Sequence, residues 1–443
     1  MLRSEDNVCG KKGCDTQLDI LPTKVRMGAS CIVGHPFLTK MNMKRFSIIV
    51  FLAMLPAIVL NAQTAKYVFL FIGDGMGFNH VSLAEYYQGY TEDVFDSRPL
   101  SFTMFPVLGW AVTHSESNLI TDSAAAGTAL STGSKTNNGM LGVASDSTTV
   151  LESISYKIHK AGYKVGISST VGLNHATPAA FYGHNIDRGN YYDIAAGIPA
   201  TEFEFFAGGG LIESRGKDGD KPSAYIAIEN SGYTIAEGMD EYSAAKDGAK
   251  KMMLLQEDGR QKTELPYAID MTEHDMSQAD LVRASIDFLY EEDGPGFFIM
   301  SEGGKIDWAS HGNDTKTAIL ETLSLSDAVA EAVAFYNEHP DETLIIVTAD
   351  HETGGLTLAY DEGYNMYFDK IDRIDRSKDK VDEDGKEDMD EASHEAHIGW
   401  TTKDHSAANV PVFAIGAGSE LFSGRMDNTE IPKRVCKAMN ITF

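Results

Sequence analysis

The segment KYVFLFIGDGMG, residues 66–77, decides the fold that the sequence predicts. Every residue from Tyr67 to Ile72 is apolar. A continuous apolar run is typical of a strand buried on both faces of a sheet. The run ends in a glycine-rich turn that carries Asp74. Residues that follow similar apolar runs are therefore candidates for functional groups.

Comparable apolar runs recur, each next to a helical pattern. The runs cover residues 164–168, 296–300, 343–347 and 410–415, and the helical patterns cover 79–87, 152–161, 278–290 and 315–337. This alternation predicts an α/β fold, a three-layer sandwich with a central, mainly parallel β-sheet flanked by helices. In such folds functional groups gather beyond the carboxyl ends of the strands.

The chain is strongly acidic. Its 443 residues hold 65 Asp and Glu against 37 Lys and Arg, a formal net charge of −28. That charge repels a polyphosphate backbone and argues against nucleic-acid binding. A hydrophobic content of 43% supports a packed core, and 4 Cys are too few for a disulfide scaffold.

The beginning of the sequence predicts export to the periplasm or the extracellular space. A basic segment, Met41–Arg45, precedes an uncharged, mostly apolar run at 46–60, and Ala62 suits a cleavage position. These features predict a signal peptide at 41–62, too short for a typical membrane span. An uncleaved N-terminal anchor is the alternative; after cleavage no stable membrane span is expected.

Residues 1–40 are predicted to be an upstream extension that is not part of the fold, and residues 63–443 a single domain. Without residues 1–62 the chain keeps 29 Lys and Arg, 61 Asp and Glu, and a net charge of −32. Its only cysteine is then Cys436. Stability is therefore expected to come from packing or from bound metal rather than from a disulfide.

Two segments interrupt the alternation of strands and helices. Residues of about 190–276 are glycine-rich and weakly periodic, which predicts an insertion with a small structure of its own. Residues of about 361–397 hold fourteen acids and six Lys or Arg, which predicts a solvated, mobile insertion. Calcium binding is the alternative for the second segment, although it has no EF-hand spacing.

Acids and histidines stand at or near the ends of the predicted strands. They are Asp74, Glu302, Asp307, His311, Asp350, His351 and His405. Each alone could be a helix cap, a turn residue or an ordinary histidine. Together, at one predicted edge, they indicate two or three divalent metals, because zinc accepts carboxylate with imidazole and cations make a carboxylate cluster tolerable.

A nucleophile and an anion-binding group complete the candidate site. Ser123 follows Asp122 and begins a helix of small residues, whose N-terminus offers free N–H groups to an anion. A simple N-cap is the alternative. No Gly-x-Ser-x-Gly motif supports a hydrolase triad, so metal would activate this serine. Arg188 suits two phosphate oxygens.

These motifs together closely resemble the alkaline phosphatase family. They are Gly73-Asp-Gly-Met-Gly77, Asp122-Ser-Ala-Ala125, His175-Ala-Thr-Pro-Ala179, Arg188, Glu302-Gly303, Ile306-Asp-x-x-x-His311, Thr348-Ala-Asp-His351 and His405. The resemblance runs from about residue 66 to the C-terminus. It implies the family's fold and the hydrolysis of small phosphate monoesters.

The resemblance also implies a role for each residue. Ser123 would be the nucleophile that forms a phosphoserine, and Arg188 would hold the phosphate with Asp122 as its partner. Two Zn2+ ions and one Mg2+ ion would be bound: the first zinc by Asp307, His311 and His405, the second by Asp74, Asp350 and His351, and magnesium by Asp74, Thr177 and Glu302.

Two residues differ among family members. His175 stands where some members have Asp beside magnesium, and Trp308 where some have Lys or His. Neither change removes a predicted metal ligand, but both would alter the charge and water around the site. Magnesium affinity and pH optimum are therefore open, while the expected reaction is not.

Other functions stay open at this point. A phosphodiesterase or sulfatase of the same superfamily is one alternative, although the Ser123 context lacks the sulfatase motif. A non-catalytic, exported metal-binding protein is another, against which Ser123 and Arg188 argue. The substrate's alcohol is not specified. The family resemblance allows a homodimer, yet the two predicted insertions lie where interfaces vary.

Overall fold

The computed structural model describes residues 64–384 and 389–443. The predicted extension at 1–40 and the predicted signal peptide at 41–62 lie outside the described residues, as do residues 385–388 of the acidic segment. Within the described ranges, no helix combines the length and the apolar character needed to cross a bilayer.

In the described part of the chain, ten strands form one central sheet and two form a small ribbon. The sheet has the order β12-β2-β11-β8-β1-β7-β3-β4-β6-β5, and the ribbon pairs β9 with β10. Their bounds are β1 Tyr67–Gly73, β2 Val107–Val112, β3 Lys164–Ser169, β4 Phe205–Gly208, β5 Tyr233–Glu237, β6 Lys251–Leu255, β7 Phe297–Gly303, β8 Thr343–Thr348, β9 Glu352–Thr353, β10 His405–Ser406, β11 Val410–Gly416 and β12 Gly424–Asp427. Sheet neighbours are parallel except at β11, which is antiparallel to β2 and β8.

Helices connect and flank these strands, which confirms the predicted α/β sandwich. They are α1 Phe78–Thr91, α2 Ser123–Thr132, α3 Ile154–Lys160, α4 Ala176–Ala180, α5 Tyr191–Ala195, α6 Ala224–Asn230, α7 Gly238–Ala245, α8 Gln278–Leu289, α9 Lys305–His311, α10 Thr315–Glu338, α11 Asp369–Asp372, α12 Lys378–Asp384, α13 Met389–Glu395 and α14 Glu430–Ala438. Short 3-10 turns cover Ile198–Ala200, Lys246–Gly248, Ala268–Asp270 and Ser419–Phe422.

The three central strands explain why the apolar runs are continuous. Every residue of β1, β7 and β8 is buried, since helices cover both faces of the sheet. Phe69, Phe71 and Phe297 are among the largest fully buried side chains. Burial on both faces removes the polar alternation that a half-exposed strand would show.

The segment at about 190–276 does not form a separate small structure, so that expectation is corrected. Its strands β4, β5 and β6 extend the central sheet beyond β3, each pairing in parallel with its neighbour. These strands are only four or five residues long, and the short helices α6 and α7 lie between them along the chain. Their short apolar runs, such as Met252–Leu255, gave little periodic signal.

The acidic segment at about 361–397 is more ordered than the expected mobile insertion. Its described residues form α11, α12 and α13, and Ile371, Ile374 and Met389 are buried in an apolar cluster with Leu83 of α1 and Ile319 of α10. The buried apolar residues of this segment therefore pack it against α1 and α10, although the segment contains many acids.

Candidate active site

Acidic side chains converge at the carboxyl ends of the central strands. Asp74 follows β1, Glu302 lies near the end of β7 and Asp350 follows β8, and all three are fully buried. The strand register explains this convergence, because Ile72 is aligned with Glu302 on one side and with Thr348 on the other. The edge predicted from the sequence is thus the edge where the acids meet.

The turn after β1 requires glycine beside Asp74. Gly75 has a φ of +74°, and a Cβ there would lie 2.9 Å from the Cα of Asp307. The Gly75 N–H donates to Asp350 Oδ1 at 3.2 Å. The missing side chain therefore lets the turn approach α9 closely while its backbone orients a site carboxylate.

Asp307, His311 and His405 form the first ligand group. Their potential ligand atoms all lie within 4.8 Å of one another. Asp307 Oδ2 is 3.3 Å from His311 Nε2, which is one helical turn further along α9, and His311 Nε2 is 3.2 Å from His405 Nε2. The His405 Nδ1 lies 2.8 Å from the Thr121 carbonyl oxygen, which leaves Nε2 for the group.

Asp74, Asp350 and His351 form the second ligand group, again within 4.8 Å. His351 Nε2 lies 3.4 Å from Asp74 Oδ1 and 3.2 Å from Asp350 Oδ2. The His351 and His405 rings stack with centroids 3.6 Å apart, so the two groups are adjacent. The structure thus brings together both predicted zinc sets, whose roles remain predictions.

Glu302, Thr177 and Asp74 offer a third set of oxygens. Thr177 Oγ1, Glu302 Oε1 and both Asp74 carboxylate oxygens are buried and have no hydrogen-bond partner among the described residues. Ser169 Oγ donates to the other Glu302 oxygen. Buried polar atoms without partners are costly, so these oxygens suit a cation.

The electrostatics of the cluster also fit cations. Burial raises the pKa of Asp350 to about 8 and that of Glu302 to about 7. Burial, together with the charge of Asp350, likewise raises the pKa of Asp74. These carboxyls therefore cannot all ionise near neutral pH unless positive charge is added.

The pKa values of His311 and His351 are shifted in opposite directions. The contact with Asp307 raises the pKa of His311 to about 9. Burial and the neighbouring His405 lower the pKa of His351. A buried neutral imidazole is the form that binds metal.

Ser123 lies next to the second ligand group. It is the first residue of α2, all of whose residues are buried, and its Oγ is 3.3 Å from His351 Nε2. Small residues such as Ala124 and Gly127 let this helix pack closely against the neighbouring elements. The helix N-terminus therefore brings the hydroxyl to the candidate metal ligands.

Asp122 links the start of α2 to Arg188. One carboxylate oxygen of Asp122 accepts from the Ala125 N–H at 3.0 Å, which caps the helix. The other accepts from Arg188 Nη1 at 3.1 Å. Asp122 therefore both caps α2 and pairs with Arg188, which brings the guanidinium to the N-terminus of the helix that begins with Ser123.

His175 lies next to Arg188, and Trp308 packs against His175; neither belongs to the two ligand groups. Arg188 Nη2 is 3.3 Å from His175 Nε2. Burial and the charge of Arg188 lower the pKa of His175 to about 3, so this imidazole is neutral and its Nε2 accepts from the guanidinium. The His175 and Trp308 rings meet edge to face, with centroids 5.8 Å apart.

Comparison with known families identifies the class of this chain. The sequence profile described as alkaline phosphatase matches residues 65–205 and 241–441. The chain belongs to the alkaline phosphatase family. It is therefore an enzyme of the phosphoric monoester hydrolases, as the motifs predict. Residues 206–240, between the two matched ranges, lie within the segment predicted as an insertion.

Curated alkaline phosphatases resemble the chain over most of its length. Alkaline phosphatase 3 of Bacillus subtilis (strain 168) is 31% identical over 432 residues, covering 86% of this chain and 90% of the relative. The alkaline phosphatase of Schizosaccharomyces pombe is 27% identical over 456 residues, covering 86% of this chain and 82% of the relative.

Solved alkaline phosphatases share the fold. The enzyme from the Antarctic bacterium TAB5 superimposes with a TM-score of 0.70 and is 32% identical, covering 86% of this chain and 100% of the other. The cold-active enzyme from Shewanella sp. gives a TM-score of 0.73 and 28% identity, covering 84% and 99%.

Sequence reasoning missed two hydroxyl groups of this alkaline phosphatase site. Thr353 Oγ1 donates to Asp307 Oδ1 at 2.5 Å and lies 3.2 Å from His351 Nδ1, so it bridges the two ligand groups. Ser169, which donates to Glu302, ends β3. Ser169 could have been found, because it stands at the carboxyl end of a predicted strand, as the other site residues do. Thr353 carries only one signal in the sequence, namely that it follows His351 by two residues.

Proposed function

We propose that the protein hydrolyses phosphate monoesters to an alcohol and inorganic phosphate through a phosphoserine intermediate on Ser123. The position of the Ser123 hydroxyl carries this proposal. Its Oγ stands at the N-terminus of α2, 3.3 Å from a histidine of the second ligand group. Arg188, paired with Asp122 at 3.1 Å, supplies a fixed guanidinium beside it.

The chain's own residues account for binding and group transfer. Ser123 Oγ loses its proton and attacks phosphorus, the bond to the ester oxygen breaks, and the departing oxygen takes up a proton to leave as the alcohol. Water then attacks the phosphoserine, the phosphorus–Oγ bond breaks, Ser123 Oγ takes up a proton released by the water, and inorganic phosphate leaves. Throughout, Arg188 binds two phosphate oxygens and the N–H groups of α2 face the anion.

The three donor sets fit two zinc ions and one magnesium ion. Two sets combine carboxylate with imidazole, as zinc prefers: Asp307 with His311 and His405, and Asp74 with Asp350 and His351. The set of Asp74, Thr177 and Glu302 offers only oxygens, as magnesium prefers. The metals, when bound, would stabilise the serine alkoxide and the departing oxygen as Lewis acids.

A solved relative supports magnesium as the third metal. A variant of the TAB5 enzyme, in which a histidine is replaced by glutamate, has magnesium bound in its M3 site. In this chain His175 contacts Arg188 and Trp308 and lies two residues before Thr177. We propose that His175 and Trp308 shape the surroundings of the magnesium set and of Arg188 without binding a metal themselves.

The reaction is tested by substrate choice and by two substitutions. The metal-loaded protein should hydrolyse a phosphate monoester much faster than a diester or a sulfate ester. Ser123→Ala and Arg188→Ala should lose most of this activity, whereas Ser131→Ala, at a buried serine of the same helix, should keep it. A zinc-loaded wild type that is inactive on monoesters would overturn the proposal, and a preference for diesters or sulfates would favour those alternatives.

We further propose that residues 41–62 are a signal peptide and that residues 63–443 act in the periplasm or outside the cell. The basic segment, the apolar run and Ala62 support this. Expression of the full chain, followed by N-terminal sequencing of exported protein, should give Gln63 as the first residue. Exclusive recovery of uncleaved chain in the membrane fraction would instead favour the anchor. Size-exclusion chromatography with light scattering distinguishes a monomer from a homodimer.

A further inference from the structure

Two buried ionisable side chains, one of which lies near Trp308, have no part in the proposed reaction. Lys305, the first residue of α9, is only 4% exposed, and Glu321 of α10 is only 3% exposed. Taking ionisable groups out of water is costly unless they are well hydrogen-bonded, so the contacts of these two side chains are informative. We call these two side chains the buried clamp.

Both members of the buried clamp hold one loop, residues 264–270. Lys305 Nζ donates to the Leu265 carbonyl oxygen at 2.6 Å. The Glu321 carboxylate accepts from the Ala268 N–H at 2.7 Å. Lys305 therefore holds a loop acceptor and Glu321 a loop donor, three residues apart, so the loop is fixed against both α9 and α10.

The clamped loop supports Trp308. Tyr267, in the middle of the loop, is mostly buried, and the Lys305 ammonium lies 3.9 Å from its ring centroid and 5.6 Å from the Trp308 ring. Trp308 packs against the cluster that contains Tyr267 and Ala309. A single ammonium group therefore contacts the loop backbone and both rings, which fixes the indole from below.

Trp308 is connected through His175 to Arg188, the proposed phosphate-binding group. Its ring meets His175 edge to face, and His175 Nε2 lies 3.3 Å from Arg188 Nη2. The other guanidinium nitrogen is held by Asp122. The orientation of the guanidinium thus depends on His175 on one side, and the position of His175 depends on the clamped indole.

We propose that the buried clamp positions Arg188 for phosphate, acting through the rings of Trp308 and His175. Lys305 and Glu321 are positioning residues, because neither contacts the phosphate-binding groups directly. The inference rests on the proposed function, in which Arg188 binds the phosphoryl oxygens. Removing the clamp's contacts should therefore weaken phosphate binding more than it changes the metal content.

The test compares two buried lysines. Lys305→Met keeps the aliphatic length but removes the charge, and Lys305→Arg restores it. Lys316→Met is the matched control: Lys316 is 6% exposed and lies 4.5 Å from the Tyr87 ring centroid and 2.7 Å from Asp372. Among the described residues it makes no hydrogen bond to residues 264–270 or to Trp308. Each metal-loaded protein is assayed for monoester kcat and KM, metal content, melting temperature and calorimetric binding of inorganic phosphate.

Lys305→Met should weaken phosphate binding and raise KM by roughly three- to thirtyfold at full metal content. Lys305→Arg should recover most of this loss, and Lys316→Met should lower only the melting temperature. If Lys305→Met does not fold, Glu321→Gln, which loosens the hold on Ala268, should show the same pattern more weakly. Phosphate binding in the clamp variants equal to that of Lys316→Met, or no phosphate binding by wild type, would overturn the inference.

Phosphate binding is measured without turnover, which separates this inference from the proposed reaction. A wild type that binds phosphate but does not hydrolyse monoesters would overturn the reaction, while the comparison of the two lysines would still decide on the clamp.

Discussion

Removing the metals should make the stability of this protein fall as the pH rises. Asp350 is fully buried, and burial together with the charge of Asp307 raises its pKa to about 8, from 3.8 in an exposed carboxyl. Between these two values the metal-free folded state keeps a proton that the unfolded state has released. The unfolded state then binds fewer protons, so the free energy of unfolding decreases with increasing pH.

The magnitude follows from the width of that window. A single group held this way costs about 1.4 kcal/mol per pH unit, so Asp350 alone should remove about 4 kcal/mol of stability between about pH 5 and about pH 8. Glu302, whose pKa burial raises to about 7, adds to the effect in the same direction. A bound cation stabilises both carboxylates and should flatten the curve.

Urea unfolding at several pH values, with chelator or with zinc and magnesium, measures this directly. The chelated protein should lose stability from about pH 6.5 to about pH 8, whereas the loaded protein should not. Below about pH 6.5 the buried His175 and His351, whose pKa values burial lowers, change stability in the opposite direction and reduce the slope. Asp350→Asn should reduce the slope of the chelated protein, because the titrating group is gone. A chelated protein that is as stable as the loaded one at every pH would refute the reasoning.

Three further substitutions test other parts of the site. Asp122→Ala should cost about 1 kcal/mol of stability by uncapping α2, and it should also raise KM by releasing Arg188. Asp122→Asn should keep most of the stability. An unchanged melting temperature and KM for Asp122→Ala would contradict this. Thr353→Val should weaken zinc binding roughly tenfold in a chelator competition, because Asp307 loses an orienting hydrogen bond; affinity equal to wild type would show that the contact is dispensable. Gly75→Ala should lower the free energy of unfolding by roughly 1–3 kcal/mol, since the positive φ and the nearby α9 backbone both oppose a Cβ; a neutral effect in urea unfolding would exclude that strain.

The sequence predicted the centre of the sheet better than its edges. β1, β7 and β8 are buried on both faces, so their apolar runs are continuous and easily recognised. β2 is half exposed and contains a glycine, and β12 has only four residues, so neither stood out. The place of β4, β5 and β6 in the main sheet depends on long-range pairing, which no local pattern encodes.

Much of the candidate site could likewise be predicted, because charged residues at the ends of buried strands are conspicuous. The residues of both ligand groups lie together, and their metals stay a prediction. Thr353 and Ser169 were missed because a hydroxyl in a loop or strand is common and carries no signal until its partner is known. The contact of His175 with Arg188 and the buried clamp are also products of tertiary packing.

Identification of the phosphorylated residue tests the central claim most directly. The metal-loaded protein is mixed with a phosphate monoester, quenched in acid during turnover, digested and examined by mass spectrometry. A phosphoryl group on Ser123, absent from Ser123→Ala together with the activity, is the predicted result. A phosphoryl group on another residue, or full hydrolysis by Ser123→Ala, would contradict the account.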